Sequence, residues 1–236
     1  MCSGHTPERP AAQPPRVFLL SPANAGGERM ALVLSARARF ALARAVQGEG
    51  APIGEVFRFA SGLYFRGKLA YALAFARPPA GVPGALVIAP GAGLVPSDAP
   101  VRATDLRAFA SIPVDAREPR FRAPLERDAR LLAEAVGDEG EVVLLGSVAS
   151  PKYVEPLLAI LGARLLFPPD FVGRGDMSRG GLLLRAVRAG AELPYGPVAG
   201  AVLHGPRPPR LAPLRGARAL DAPARPRRPD AARRRG

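Results

Sequence analysis

At 236 residues the chain is long enough for one α/β domain with a well-buried core and too short for two of ordinary size plus linkers. Its formal net charge is +13, but residues 206–236 hold ten arginines against Asp221 and Asp230, which leaves the rest with a modest excess of five. Cys2 is the one cysteine, and His5 and His204 are the only histidines, which excludes internal disulfides and leaves a thiolate site, a Ser-His triad or a His-rich metal site without its parts.

In chain order, residues 1–15 are rich in proline and small polar side chains that cannot bury enough surface to offset the cost of ordering, so a disordered N-terminal segment is expected. Val17-Phe18-Leu19-Leu20 reads as the first strand. Helical patterns follow at 28–47 and 64–76, then a strand at Ala85-Leu86-Val87-Ile88-Ala89 and a helix at 103–110. In the helix predicted over 122–136, Leu125, Ala129, Leu132, Ala133 and Val136 recur at spacings of three and four and form a stripe that should face a sheet. Val142-Val143-Leu144-Leu145, a helix at 152–161, Arg164-Leu165-Leu166-Phe167 and a helix at 177–189 complete the pattern. All four strands are apolar on both faces, as buried parallel strands are. Strands alternating with helices predict a single three-layer α/β domain over 16–204, with a mostly parallel sheet flanked by helices in a Rossmann-like layering. From 205 to 236 repeated prolines remove backbone donors, and a Pro/Arg-rich disordered basic tail is expected.

Ligands of open parallel sheets bind beyond the carboxyl ends of the strands, so the segments after each run carry the functional reading. Ser21 and Asn24 follow the first strand; Gly91, Gly93 and Asp98 follow the second; Ser147, Lys152 and Tyr153 follow the third. After the fourth come Asp170, Arg174, Asp176, Ser178 and Arg179, where glycines and a helix start suit an anion. Each has a plainer reading. Gly91 and Gly93 mark a tight turn as readily as a phosphate loop. Ser150 with Pro151 reads as an N-cap and first helical residue, and Asp176 as a cap of the last helix. Arg174 and Arg179 are unfavourable near a helix N-terminus unless something negative joins them.

Tyr64, Lys68 and Tyr71 fall on one helix face. Either the aromatics pack while Lys68 reaches outward, or Tyr64 stacks on a base while Arg66 and Lys68 meet phosphate. The catalytic candidates are Ser21 as a nucleophile activated by Lys68 or Lys152, and Asp98 or Asp176 as acid or base. No resident metal or cofactor is expected; Asp98, Asp170 and Asp176 are the carboxylates that would hold Mg²⁺ together with a phosphate ligand.

Read in order, Leu20-Ser21-Pro22-Ala23, Ser61-Gly62-Leu63-Tyr64, Gly93-Leu94-Val95-Pro96-Ser97-Asp98, Ala149-Ser150-Pro151-Lys152-Tyr153 and Arg174-Gly175-Asp176-Met177-Ser178-Arg179 resemble the motif order of the peroxide stress protein YaaA family. They are also similar to uncharacterised bacterial and phage domains related to the catalytic part of archaeosine synthase. The first resemblance implies a cytosolic α/β protein that associates with DNA and limits oxidative damage; the second implies handling of a modified guanine base. The long segment that precedes the Ser61-Gly62-Leu63-Tyr64 motif in YaaA is missing here, and Ser21 stands where the synthase has a cysteine.

The expectation is therefore a nucleic-acid-associated protein with a phosphate- or nucleobase-binding cleft, linked to DNA protection or oxidative stress, whose arginine tail attracts nucleic acid without sequence preference. The alternatives are an enzyme acting on a nucleoside, nucleotide or modified guanine base, and a non-catalytic scaffold. No apolar run approaches the roughly 18 residues of a membrane span and no signal-peptide pattern opens the chain, so a cytoplasmic protein without a membrane partner is expected.

Overall fold

Residues 13–211 are described by a computed structural model; residues 1–12 of the N-terminal segment expected to be disordered over 1–15, and the tail from 212 onward, lie outside the described residues. The elements run β1 (Arg16–Leu20), α1 (Glu28–Leu34), α2 (Ala41–Gln47), β2 (Ala51–Pro52), α3 (Ile53–Ser61), α4 (Leu63–Phe75), β3 (Ala85–Ala89), β4 (Gly93–Pro96), β5 (Pro100–Val101), α5 (Ala103–Ala110), α6 (Pro119–Val136), β6 (Glu141–Leu145), α7 (Pro151–Leu161), β7 (Leu165–Phe167), α8 (Asp176–Ala189) and β8 (Gly196–Pro197).

β1 lies inside a six-stranded sheet of order β4-β3-β1-β6-β7-β8. Its pairings with β3 and β6, and that of β6 with β7, are parallel; the edge strands β4 and β8 run antiparallel. All five residues of β1 are buried because the sheet is covered on both sides. Phe18 and Leu20 pack with α1 to α5 and α8, whereas Val17 and Leu19 pack against α6 and α7. The α/β class and the mostly parallel sheet between helical layers thus follow the sequence pattern.

Several local expectations are corrected. The helix expected over 28–47 is two helices, α1 and α2, because the chain turns at Ser35, whose hydroxyl accepts from the Arg37 amide while its carbonyl accepts from Ala38. The segment after β3 is a hairpin rather than a ligand loop: Gly91 and Gly93 both have φ of +81°, and β4 returns beside β3. A Cβ on Gly93 would lie 2.0 Å from Asp128 Oδ2, the oxygen that accepts from the Leu94 amide. α3 has no counterpart in the sequence reading; Ile53, Val56 and Phe57 give it a buried face. Residues 205–211 of the expected tail are described, and a Cβ on Gly173 would meet Pro206 O at 2.2 Å.

The chain leaves β1 toward β3 on one side and leaves β6 toward β7 on the other. The crevice beyond the carboxyl ends of β1 and β6 is therefore the topological switch point of the sheet, the usual ligand position in this architecture.

Candidate functional site

Ser21 is the first residue after β1, and its amide donates to Leu145 O at 3.2 Å, carrying the sheet one residue beyond the strand. Gly146 gives its side chain room. A Cβ there would fall 2.9 Å from Ser21 Cβ and 3.1 Å from Ser21 Oγ, tighter than ordinary contact.

Lys68 reaches this point from the middle of α4. Its Nζ donates to Ser21 O at 2.5 Å and lies 2.8 Å from Ser21 Oγ, and the residue is only 1% exposed. The outward-reaching lysine of the packing reading is therefore corrected. Nζ also sits 4.5 Å from the ring centre of Tyr64 and 4.9 Å from that of Phe65, so aromatic faces replace part of its hydration. Burial pushes the Lys68 pKa down to about 7; Asp176 favours the ammonium and Arg179 opposes it. Close to neutrality, this amine is poised between its charged and neutral forms.

A cavity of about 270 Å³ opens above the pair. Ser21 and Asn24 line it from the segment after β1, Ser61 from the end of α3, Tyr64 and Lys68 from α4, and Ser147 from the segment after β6. Lys152 and Tyr153 come from the first turn of α7 and Asp176 from the first turn of α8. Tyr64 is 6% exposed, and its hydroxyl has no hydrogen-bond partner among the described residues. Burial raises its pKa, and the nearby Arg179 guanidinium acts against that rise. The phenol stays protonated, and its oxygen is buried beneath the wall of the cavity. Burial likewise raises Tyr153, with smaller contributions from Tyr64 and Asp176.

The helix starts differ from their sequence reading. Ser150 is the N-cap of α7 and Pro151 follows it, but the Ser150 side chain makes no capping bond. Gly175, not Asp176, caps α8, and Asp176 stands one residue inside, 3.7 Å from Arg179. Arg179 also donates to Phe171 O at 3.2 Å and lies over the Phe171 ring at 5.6 Å. Arg174 donates to Asp170 O, Ser178 Oγ and Pro209 O. Carbonyl oxygens and a carboxylate thus supply the negative partners that these two arginines need at a helix start.

The structure gathers Ser21, Asn24, Tyr64, Lys68, Ser147, Lys152, Tyr153 and Asp176 around one cavity. It leaves others outside its wall: Gly91, Gly93 and Asp98 belong to the β3–β4 hairpin and the turn after it, Arg66 is exposed on α4, and Arg174 and Ser178 face each other beside the tail. Arg179 interacts with Tyr64 but does not line the cavity. Tyr71, expected to share the functional face, is tied at the far end of α4 to Tyr195 Oη at 2.6 Å and to the Leu193 amide at 2.7 Å. Among the described residues no three of His, Cys, Asp and Glu gather where they could hold a metal ion, so Asp98, Asp170 and Asp176 do not form the Mg²⁺ set considered from sequence. The role of Gly146 escaped sequence reasoning, because only the pairing of β1 with β6 places it against Ser21.

No helix among the described residues is long and apolar enough to cross a membrane. Comparison with protein-family models, curated proteins and solved structures finds no match to this chain.

Proposed function

We propose that the cavity at the end of β1 and β6 binds a nucleobase- or phosphate-bearing small molecule, a nucleoside, nucleotide or modified base. The observation that supports this most directly is the convergence of Lys68, Lys152, Ser21, Ser147 and Asn24 on one space at the switch point of the sheet. Its volume of about 270 Å³ lies just below the roughly 300–1,000 Å³ usual for small-molecule sites, which suits one base or sugar phosphate and not a duplex. A nucleic acid would reach it only as an unpaired nucleotide, with the arginines of the tail attracting the rest of the strand. Lys152 and the half-charged Lys68 supply attraction for an anion, and the hydroxyls and Asn24 supply donors and acceptors for a base edge or sugar.

Four of the five motifs behind the resemblance to YaaA and archaeosine synthase contribute Ser21, Ser61, Tyr64, Lys152, Tyr153 or Asp176 to this wall. That supports a common role for them in a ligand site.

The test is a thermal-shift screen of the full chain against nucleobases, nucleosides, nucleotides and inorganic phosphate, because a ligand that binds only the native state raises the melting temperature. At least one base- or phosphate-bearing compound should raise it, and Lys152→Ala should abolish the rise while keeping the unliganded melting temperature. A screen with no shift at millimolar concentrations overturns the reading.

A further inference from the structure

Ser21 and Lys68 carry an inference that deepens the ligand reading and rests on it. We infer that Ser21 is a nucleophile and Lys68 its general base, and that the cavity transfers or hydrolyses an acyl group carried by its base- or phosphate-bearing ligand.

The geometry supplies the first requirement. Nζ and Oγ are 2.8 Å apart, within the range for direct proton transfer, and both border the same cavity. Lys68 is also oriented by a third group: its bond to Ser21 O at 2.5 Å occupies one N–H direction and fixes the nitrogen beside Oγ. In the neutral amine the remaining lone pair accepts the Oγ proton, so the same contact reverses its donor and acceptor. Gly146 removes the side chain that would displace Ser21, whose hydroxyl stands just past the carboxyl end of β1. No histidine is described near the pair; His204 lies toward the chain end, so Lys68 is the base within reach.

The charged and titratable groups around Lys68 are compatible with this role. α4 contributes Tyr64; α8 contributes Asp176, which favours the ammonium, and Arg179, which disfavours it; α7 contributes Lys152 and Tyr153 to the same cavity. Burial dominates, and a lysine brought close to neutrality can take a proton and return it at physiological pH.

In the acyl step, Oγ attacks the carbonyl carbon as its proton passes to Nζ. The carbonyl oxygen gathers negative charge, which the Lys152 ammonium bordering the same cavity can offset. Collapse breaks the bond from the acyl carbon to its leaving oxygen or nitrogen, which departs with the proton held on Nζ. Water then attacks the Ser21 ester, gives its proton to Nζ, and the carboxylic acid and the Oγ–H are restored. No oxidant, metal or further co-reactant is needed.

The test treats the full chain with an alkyl fluorophosphonate, in which an Oγ–P bond forms, a P–F bond breaks and the Oγ proton leaves through Nζ. Intact mass and peptide mapping should give one adduct, on Ser21. Its rate should rise with pH and level off above a midpoint near 7. Ser21→Ala should remove the adduct, and Lys68→Met should slow labelling by at least 100-fold in a chain that still melts cooperatively. If Lys68→Met fails to fold, the midpoint of the unmodified chain and its downward shift in Asp176→Asn carry the test, since Asp176 favours the charged amine. No adduct on Ser21 up to pH 9, or an undiminished rate in folded Lys68→Met, overturns the inference. A nucleotide-induced melting shift that persists without labelling would leave a binding pocket that lacks a nucleophile, whereas loss of both would remove the pocket reading as well.

Discussion

Gly67 of α4 and Gly180 of α8 meet with no side chain between them: a Cβ on Gly67 would fall 2.7 Å from Gly180 O, and one on Gly180 would fall 2.7 Å from Leu63 O. This close crossing brings Tyr64 and Lys68 beside Asp176 and Arg179, so the wall of the cavity depends on two glycines that do not line it. Gly67→Ala gains about 1 kcal/mol of helix propensity and loses more by forcing the helices apart, with overpacking of this kind costing ~1–3 kcal/mol. Chemical denaturation should show Gly67→Ala less stable than the parent. The displaced Lys68 should also weaken any nucleotide-induced rise in melting temperature.

Lys68 makes stability depend on pH in a definite direction. Its folded pKa, about 7, lies below its unfolded value of 10.5, so between these pH values the unfolded chain holds the extra proton. Stability therefore rises with pH through that window and is flat on either side as far as this group is concerned. Lys68→Met, which keeps the unbranched apolar stem without the charged end, should be more stable than the parent at pH 6 and should lose that advantage by pH 10. Denaturation midpoints of both proteins across this range, compared as a difference, isolate the lysine from other titrating groups.

Arg16 ties the start of β1 to two distant parts of the chain. It is 8% exposed, pairs with Glu141 and Glu192 at 2.5 Å, and lies 4.6 Å from the ring centre of Tyr195. Removing the cation leaves two carboxylates facing each other, and breaking a buried pair of this sort costs about 3–5 kcal/mol, with the partial exposure of both glutamates placing this case toward the lower end. Burial disfavours the Glu192 carboxylate, but Arg16 and Arg77 outweigh it and hold its pKa below the usual range. Its contribution is present above the unfolded value and is lost as pH falls through the lowered folded one. Arg16→Met should flatten that part of the acid-unfolding curve, measured by circular dichroism from pH 6 to pH 2.

The β3–β4 hairpin gives the opposite expectation. Asp128 accepts from the Leu94 amide at 2.9 Å and lies against Gly93, away from the cavity. Asp128→Ala should lower stability by ~1–2 kcal/mol through the lost acceptor and leave nucleotide-induced stabilisation and Ser21 labelling as in the parent. A change in either would tie this hairpin to the site.

The sheet was legible because β1, β3, β6 and β7 are apolar runs whose burial on both faces needs no partner identity, while α6 carries a helical apolar stripe and α7 a proline-marked start. The hairpin was not, since Gly91 and Gly93 serve a tight turn and a phosphate loop with the same positive φ, and only the return of β4 beside β3 distinguishes them. Ser21, Ser147 and Lys152 were legible as site residues because each stands shortly past the carboxyl end of a parallel strand, where ligands of such sheets bind. The burial of Lys68 was hidden, because helix spacing fixes which residues share a face but not whether that face meets solvent or another helix. Arg174 and Arg179 misled for a related reason: besides the Asp176 carboxylate beside Arg179, their negative partners are main-chain oxygens of Asp170, Phe171 and Pro209, which no residue type announces.

Lys68 and Lys152 are the only lysines in the chain, so a protein labelled with ¹³C at lysine Cε gives two signals to follow by magnetic resonance across pH. The signal lost in Lys68→Met should titrate with a midpoint near 7 and move when a base- or phosphate-bearing ligand fills the cavity. A Lys68 signal that remains that of an ammonium past pH 9, and is indifferent to every such ligand, would contradict the poised, ligand-facing amine on which the site is built.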